Sequence, residues 1–194
     1  NRTISSHDLD IDTNLIFDDF LKSTYRKNTV WLDSKNINRV ENCNYAKNWL
    51  NKFSNNFKSL LVELPTSSIN TLEDENWVKC IKSIDLIKNV EVGYYLDTSL
   101  LKRCSDDLKE KILSSSNCKK LNKQTTEILD ILNIRSITFD FSLGKTAVES
   151  DKDFKKLKWH VWHVDSVKDI NDLIIRQNIG IILVRNDKHL DNLN

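Results

Sequence analysis

An alternation of two hydrophobic periods limits the fold of this chain more than any other feature. Runs rich in β-branched and aromatic residues read as strands: TVWLDSKN (29–36), SLLVELP (59–65), VEVGYYLD (90–97), RSITFDFSL (135–143), LKWHVWHVD (157–165) and IGIILVRND (179–187). Between them VENCNYAKNWLNKF (40–53), NWVKCIKSIDLIK (76–88), SLLKRCSDDLKEKIL (99–113), TTEILDILN (125–133) and SVKDINDLIIRQN (166–178) carry apolar residues at helical spacing. The polar stretch SSSNCKKLNK (114–123) reads as a loop or insertion, and Gly144 as the break ending the fourth strand. Thr98 or Ser99 is placed to cap the helix after the third strand. Six strands alternating with helices are the sequence form of stacked βαβ units, so the fold class is α/β with a parallel sheet. Ligands in such folds bind at the carboxyl ends of the strands.

Composition narrows the function classes. The 194 residues are 39% hydrophobic, enough for one core and one domain. Basic and acidic residues nearly cancel, 29 against 28, so no nucleic-acid partner is expected. No apolar run approaches the roughly 20 residues of a transmembrane segment. With three glycines, the chain has no glycine-rich phosphate loop, and it lacks an HExxH zinc motif and a GxSxG elbow. The four cysteines are widely spaced with no CxxC pair. They read as reduced thiols of an intracellular, cytoplasmic protein, with two disulfides of a secreted protein as the alternative.

The strands carry the candidate site residues. Asp33 and Lys35 lie two apart, so in a strand both share a face with Trp31. On a solvated face that is a plain salt bridge; inside a barrel it is an active site. Glu63 stands at a strand end before Pro65, sharing a side with Leu61, and Asp140 faces opposite Phe139 and Phe141. His160 and Trp162 share one face, while His163 falls on the other and should pack under a helix. Tyr94 and Tyr95 straddle the faces, so one of them points inward in either register. His7 is either a site residue or an exposed loop residue, and His189 lies in a charged, solvated tail.

Several stretches in order resemble the barrels of glycerophosphodiester phosphodiesterases and the phosphatidylinositol-specific phospholipase C-like superfamily. SSHDLDI (5–11) is similar to their strand-end His-Asp, WLDSK (31–35) to their acidic-x-Lys strand, KWHVWHVDSVKDINDLI (158–174) to the strand with a terminal Trp, and NIGIILVRNDKHL (178–190) to the closing strand. GYYLDTSLL (93–101) and SITFDFS (136–142) fit the strands between. The resemblance implies a (β/α) TIM-type barrel of parallel strands, with about six of eight βα units in this chain and the first units upstream of Asn1. It implies metal-assisted hydrolysis of a glycerophosphodiester or lipid-like head group, so the implied partner is a small-molecule or lipid-derived phosphodiester. The implied roles are His7 and Lys35 in catalysis, Trp162, Tyr94 and His160 in substrate binding, and Asp33 and Glu63 as ligands of Mg²⁺ or Ca²⁺. The chain departs from the family in having Asp33 where a glutamate is usual and VRND in place of a threonine-aspartate ending. A catalytically inactive barrel serving as a binding module is the alternative. A glycosidase using two strand-end carboxylates, Asp33 and Glu63, is a third reading.

Overall fold

The computed structural model describes residues 29–112 and 114–184. The candidates His7 and His189 lie outside them. Six strands follow one another in both sequence and space: β1 (Thr29–Asp33), β2 (Ser59–Leu64), β3 (Val90–Tyr95), β4 (Ser136–Asp140), β5 (Lys158–Val164) and β6 (Ile179–Val184). Every neighbouring pair is parallel. The connections are helical: α1 (Val40–Phe53), α2 (Glu75–Asp85), α3 (Thr98–Lys109), α4 (Ser116–Leu132), α5 (Phe141–Ser150) and α6 (Val167–Ile174).

Strand alternation sorts side chains onto two faces of different chemistry. One face, with Leu60, Val62, Val92, Ile137, Phe139 and Trp159, is buried against the helices and forms the core. Trp77, Ile81 and Ile84 of α2, and Ile128, Leu129 and Leu132 of α4, cover it. The other face carries Trp31, Glu63, Glu91, Tyr95, Thr138, Asp140, His160 and Trp162, and contacts across it show that the sheet is curled. The rings of Trp31 on β1 and His160 on β5 have centroids 6.1 Å apart. Four strand spacings of about 4.8 Å would separate them by about 19 Å in a flat sheet. The structure is therefore a curled α/β half-barrel with a polar and aromatic inside.

Three local expectations change. The polar segment 114–123 is largely helix: Ser115 caps α4 by accepting from Cys118 N at 3.1 Å, and buried Leu121, Thr125 and Ile128 continue one helical face. Strand β4 ends at Asp140, which caps α5, and Gly144 sits inside that helix against Leu101. Asp97, rather than Thr98 or Ser99, caps α3, accepting from Leu100 N at 2.8 Å.

The cysteine expectation is also corrected. Cys43 of α1 is bonded to Cys80 of α2, and Cys104 of α3 to Cys118 of α4, leaving no free cysteine among the described residues. Each bridge ties two helices that are adjacent along the chain and pack side by side. Both partners of the first bridge lie on buried helix faces, which sequence spacing alone does not reveal. No helix of the described residues is long and apolar enough to cross a membrane.

The bridges close loops of 37 and 14 residues. Loop-closure entropy assigns them about 4 and about 3 kcal/mol respectively. Replacing Cys43 and Cys80 together by alanine should therefore lower unfolding free energy more than replacing Cys104 and Cys118, as read from urea denaturation of each double variant.

Candidate active site

The carboxyl ends of β1–β5 bring together Asp33, Glu63, Tyr95, Asp140 and His163, while Glu91 and His160 lie nearer the amino ends of their strands. Glu63 stands at the centre, only 8% exposed. Its Oε2 accepts from Trp31 Nε1 at 2.9 Å, and Asp33 is its register partner on β1. Its register partner on the other side is Gly93. A Cβ there would lie 3.1 Å from Thr138 Cγ2 and 3.1 Å from Leu61 Cδ1, so the bare glycine lets side chains of β2 and β4 meet above β3. Through that gap the Thr138 hydroxyl acts on Glu63 from two strands away. Burial is the strongest influence on the Glu63 carboxyl and, helped by the charge of Asp33, pushes its pKa up to about 7 against the opposing Thr138, Trp31 and Lys35.

Lys35 lies in the turn beyond β1, not in the strand. Its Nζ meets Asp33 Oδ2 at 2.8 Å, with both side chains substantially exposed at the rim. That hydrogen bond raises the Lys35 pKa. The pair that sequence alternation points inward is thus a rim ion pair, and only Trp31 of that stretch reaches the interior.

The tyrosine assignment shifts by one residue. Tyr94 is 3% exposed on the helix side, where burial raises its pKa, whereas Tyr95 faces the interior. The Tyr95 ring meets Trp162 edge-on at 5.7 Å, its hydroxyl bonds to Thr98, and it feels the charges of both Glu63 and Asp140. Trp162 thus lies at the carboxyl end of β5, and Tyr95, not Tyr94, shares its face.

His160 lies deeper. It is 1% exposed, with Nε2 at 3.3 Å from Glu91 Oε1, while Lys158 Nζ bonds Glu91 Oε2 at 2.5 Å. Burial alone would raise the Glu91 pKa, but His160 and Lys158 outweigh it and hold the carboxyl at about 2. A Cβ at Gly180 would come within 2.3 Å of His160 Cε1, so β6 must be bare where this imidazole sits.

Sequence reasoning missed His163. Alternation places it under a helix, but its φ of 51° and the register irregularity between Val161 and Val164 turn it toward the strand ends. Its Nδ1 lies 2.7 Å from Oδ2 of buried Asp140, and its ring stacks on Trp162 at 5.0 Å. No pattern of residue types announces a left-handed residue at a strand end, so the signal was absent. Two side-chain nitrogens of the concave face, His160 Nδ1 and Trp162 Nε1, are buried without a hydrogen-bond partner among the described residues.

No group of three or more His, Cys, Asp or Glu side chains able to hold a metal ion occurs among the described residues. Asp33 and Glu63 are instead engaged by Lys35 and Trp31, so these residues alone do not build the Mg²⁺ or Ca²⁺ site implied by the phosphodiesterase resemblance.

No family model matches the chain, and no curated protein sequence does. Among solved structures, Leishmania donovani OMP decarboxylase is similar with a TM-score of 0.40 and 12% identity over 88% of this chain and 71% of that one. Leishmania donovani UMP synthase is similar with a TM-score of 0.40 and 12% identity over 85% of this chain and 38% of that one. These findings correct the identification with the glycerophosphodiesterase and phospholipase C-like barrels, and with it the reading as a phosphodiester hydrolase: no model of that family matches, and the similar structures bear other names. At this identity and TM-score, the likeness assigns no activity to the chain.

The raised Glu63 pKa has a definite sign for stability. The folded carboxyl holds its proton more tightly than the unfolded one, whose ordinary value is 4.5. Its contribution is fully present below 4.5 and is lost as pH rises through about 7, amounting to roughly 3 kcal/mol. Glu63→Gln, which cannot ionise, should lack this decline, so wild type and variant should converge near pH 4 and diverge by pH 8 in denaturant titrations.

Proposed function

We propose that this chain is a TIM-type barrel hydrolase, six of its eight strands being those described, that cleaves a glycosidic bond of a neutral, polyhydroxylated substrate with Glu63 as general acid. One observation carries the reading: a buried strand-end carboxyl, held by an indole N–H beside a second carboxylate, in a mouth walled by aromatic rings.

The chemistry follows from that arrangement. A leaving alkoxide needs a proton as its bond to carbon breaks, and a carboxylic acid that stays protonated near neutral pH can give it. Glu63 meets that requirement because burial and Asp33 both oppose its ionisation. Asp33 pairs with Lys35 at the rim, where a carboxylate favours positive charge developing on the sugar carbon. Faces of Trp31, Tyr95 and Trp162 suit the C–H faces of a sugar ring. The unpartnered Trp162 Nε1 suits a hydroxyl oxygen of such a ring. Two disulfides favour maturation in an oxidising compartment rather than the cytoplasmic location expected from the sequence.

The test is release of chromophore from 4-nitrophenyl glycosides, and of reducing ends from neutral polysaccharides, by the full chain. Glu63→Gln should lower kcat by about 10²–10⁴ on polysaccharide. In the wild type, the alkaline limb of kcat/KM should fall as pH rises through about 7, where Glu63 loses its proton. No turnover on any probe, or equal turnover by Glu63→Gln, overturns the reading.

A further inference from the structure

We infer that His163, oriented by Asp140, is a second proton-transfer group of the same mouth, accepting the proton of the attacking water; the inference rests on the acid role of Glu63 and names the complementary base.

The geometry around Asp140 sets the tautomer. Its Oδ1 accepts from Ser142 Oγ at 2.6 Å and Leu143 N at 3.3 Å, and its Oδ2 faces His163 Nδ1 at 2.7 Å. A carboxylate can only accept, so the proton of a neutral imidazole resides on Nδ1 and the lone pair on Nε2. Asp140 is 6% exposed and the His163 side chain 42%, so the orienting group is sheltered while the ring is open to the mouth. Stacking on Trp162, at an interplanar angle of 23°, fixes the ring plane.

Position ties this pair to Glu63. Asp140 and Trp162 are register partners at the ends of β4 and β5, and Tyr95 lies within electrostatic reach of Asp140 and Glu63 together. The backbone adds an independent observation. His163 holds a φ of 51°, a left-handed conformation that few residues other than glycine adopt. Ordinary strand geometry would send the ring under the helices; the left-handed turn sends it to Asp140.

In the step this assigns, Nε2 takes a proton from water as the water oxygen bonds to the sugar carbon. The bond from that carbon to the leaving oxygen breaks, and Glu63 gives that oxygen its proton. One proton enters the imidazole and one leaves the carboxylic acid, and exchange with solvent restores both. A single displacement of this kind inverts the configuration at the sugar carbon.

His163→Gly is the informative variant, because glycine accepts a φ of 51° without strain and leaves room for a small molecule. On a probe turned over by the wild type, it should lose at least about 100-fold in kcat with KM within about twofold, and added imidazole should restore part of the rate. Asp140→Asn, whose amide can donate to Nδ1 and so favours the other tautomer, should also lower kcat, and ¹⁵N-edited spectra of the imidazole should show the proton moved to Nε2. A His163→Gly enzyme as fast as wild type while Glu63→Gln is dead overturns the inference and leaves the acid role standing. Loss without imidazole rescue marks His163 as structural and overturns it too. Absence of turnover on every probe overturns both.

Discussion

A single tryptophan gathers the polar face of this sheet. Trp31 donates its indole N–H to Glu63 on the adjacent strand and presents its ring to His160 on the fifth. The contact with His160, four strands away, exists only because the sheet curls, and the curl is what removes these side chains from water. Without it, a face carrying glutamates, a lysine, a histidine and an aspartate would be an ordinary solvated surface. The apolar residues on the opposite face, covered by helices, make the curl the lower-energy arrangement, since they are buried while the polar face turns in on itself.

Two glutamates on neighbouring strands show how that enclosure divides chemistry by partner. Glu91 and Glu63 both face inward, and burial raises the pKa of each. Glu91 has two nitrogen partners, His160 and Lys158, and is held ionised down to about pH 2. Glu63 has an indole, a hydroxyl and a like-charged neighbour, and holds its proton to about pH 7. The lower layer of the half-barrel is therefore a settled charge network, and the upper layer a place where a proton is available. Glycines maintain the division: Gly180 clears space for His160 below, and Gly93 lets Thr138 reach Glu63 above.

Much of the framework is legible from residue order. All six strands lie within the stretches read from the sequence, and parity correctly separates Phe139 from Asp140 and Trp159 from His160. The parallel arrangement follows from the helical connections. Errors fall where a local signal competes with a distant one. Segment 114–123 looks like a loop because its polar residues outnumber its apolar ones, yet Leu121 and the Cys104–Cys118 bridge bind it to a neighbouring helix. The run after Asp140 looks like continued strand, yet the Asp140 side chain caps a helix there. Lys35 appears to extend a strand that the backbone has already left.

The sequence by itself determined the α/β class, the succession of strands and helices and most of the side chains that share a strand face, because those depend on periods of two and 3.6 that a chain carries in its own order. Tertiary structure alone decided which face is enclosed, which tyrosine enters it, how the cysteines pair, and where His163 points. Those outcomes depend on curvature, on one left-handed backbone angle and on distances between residues 14 to 129 positions apart, and no local pattern of residue types encodes them.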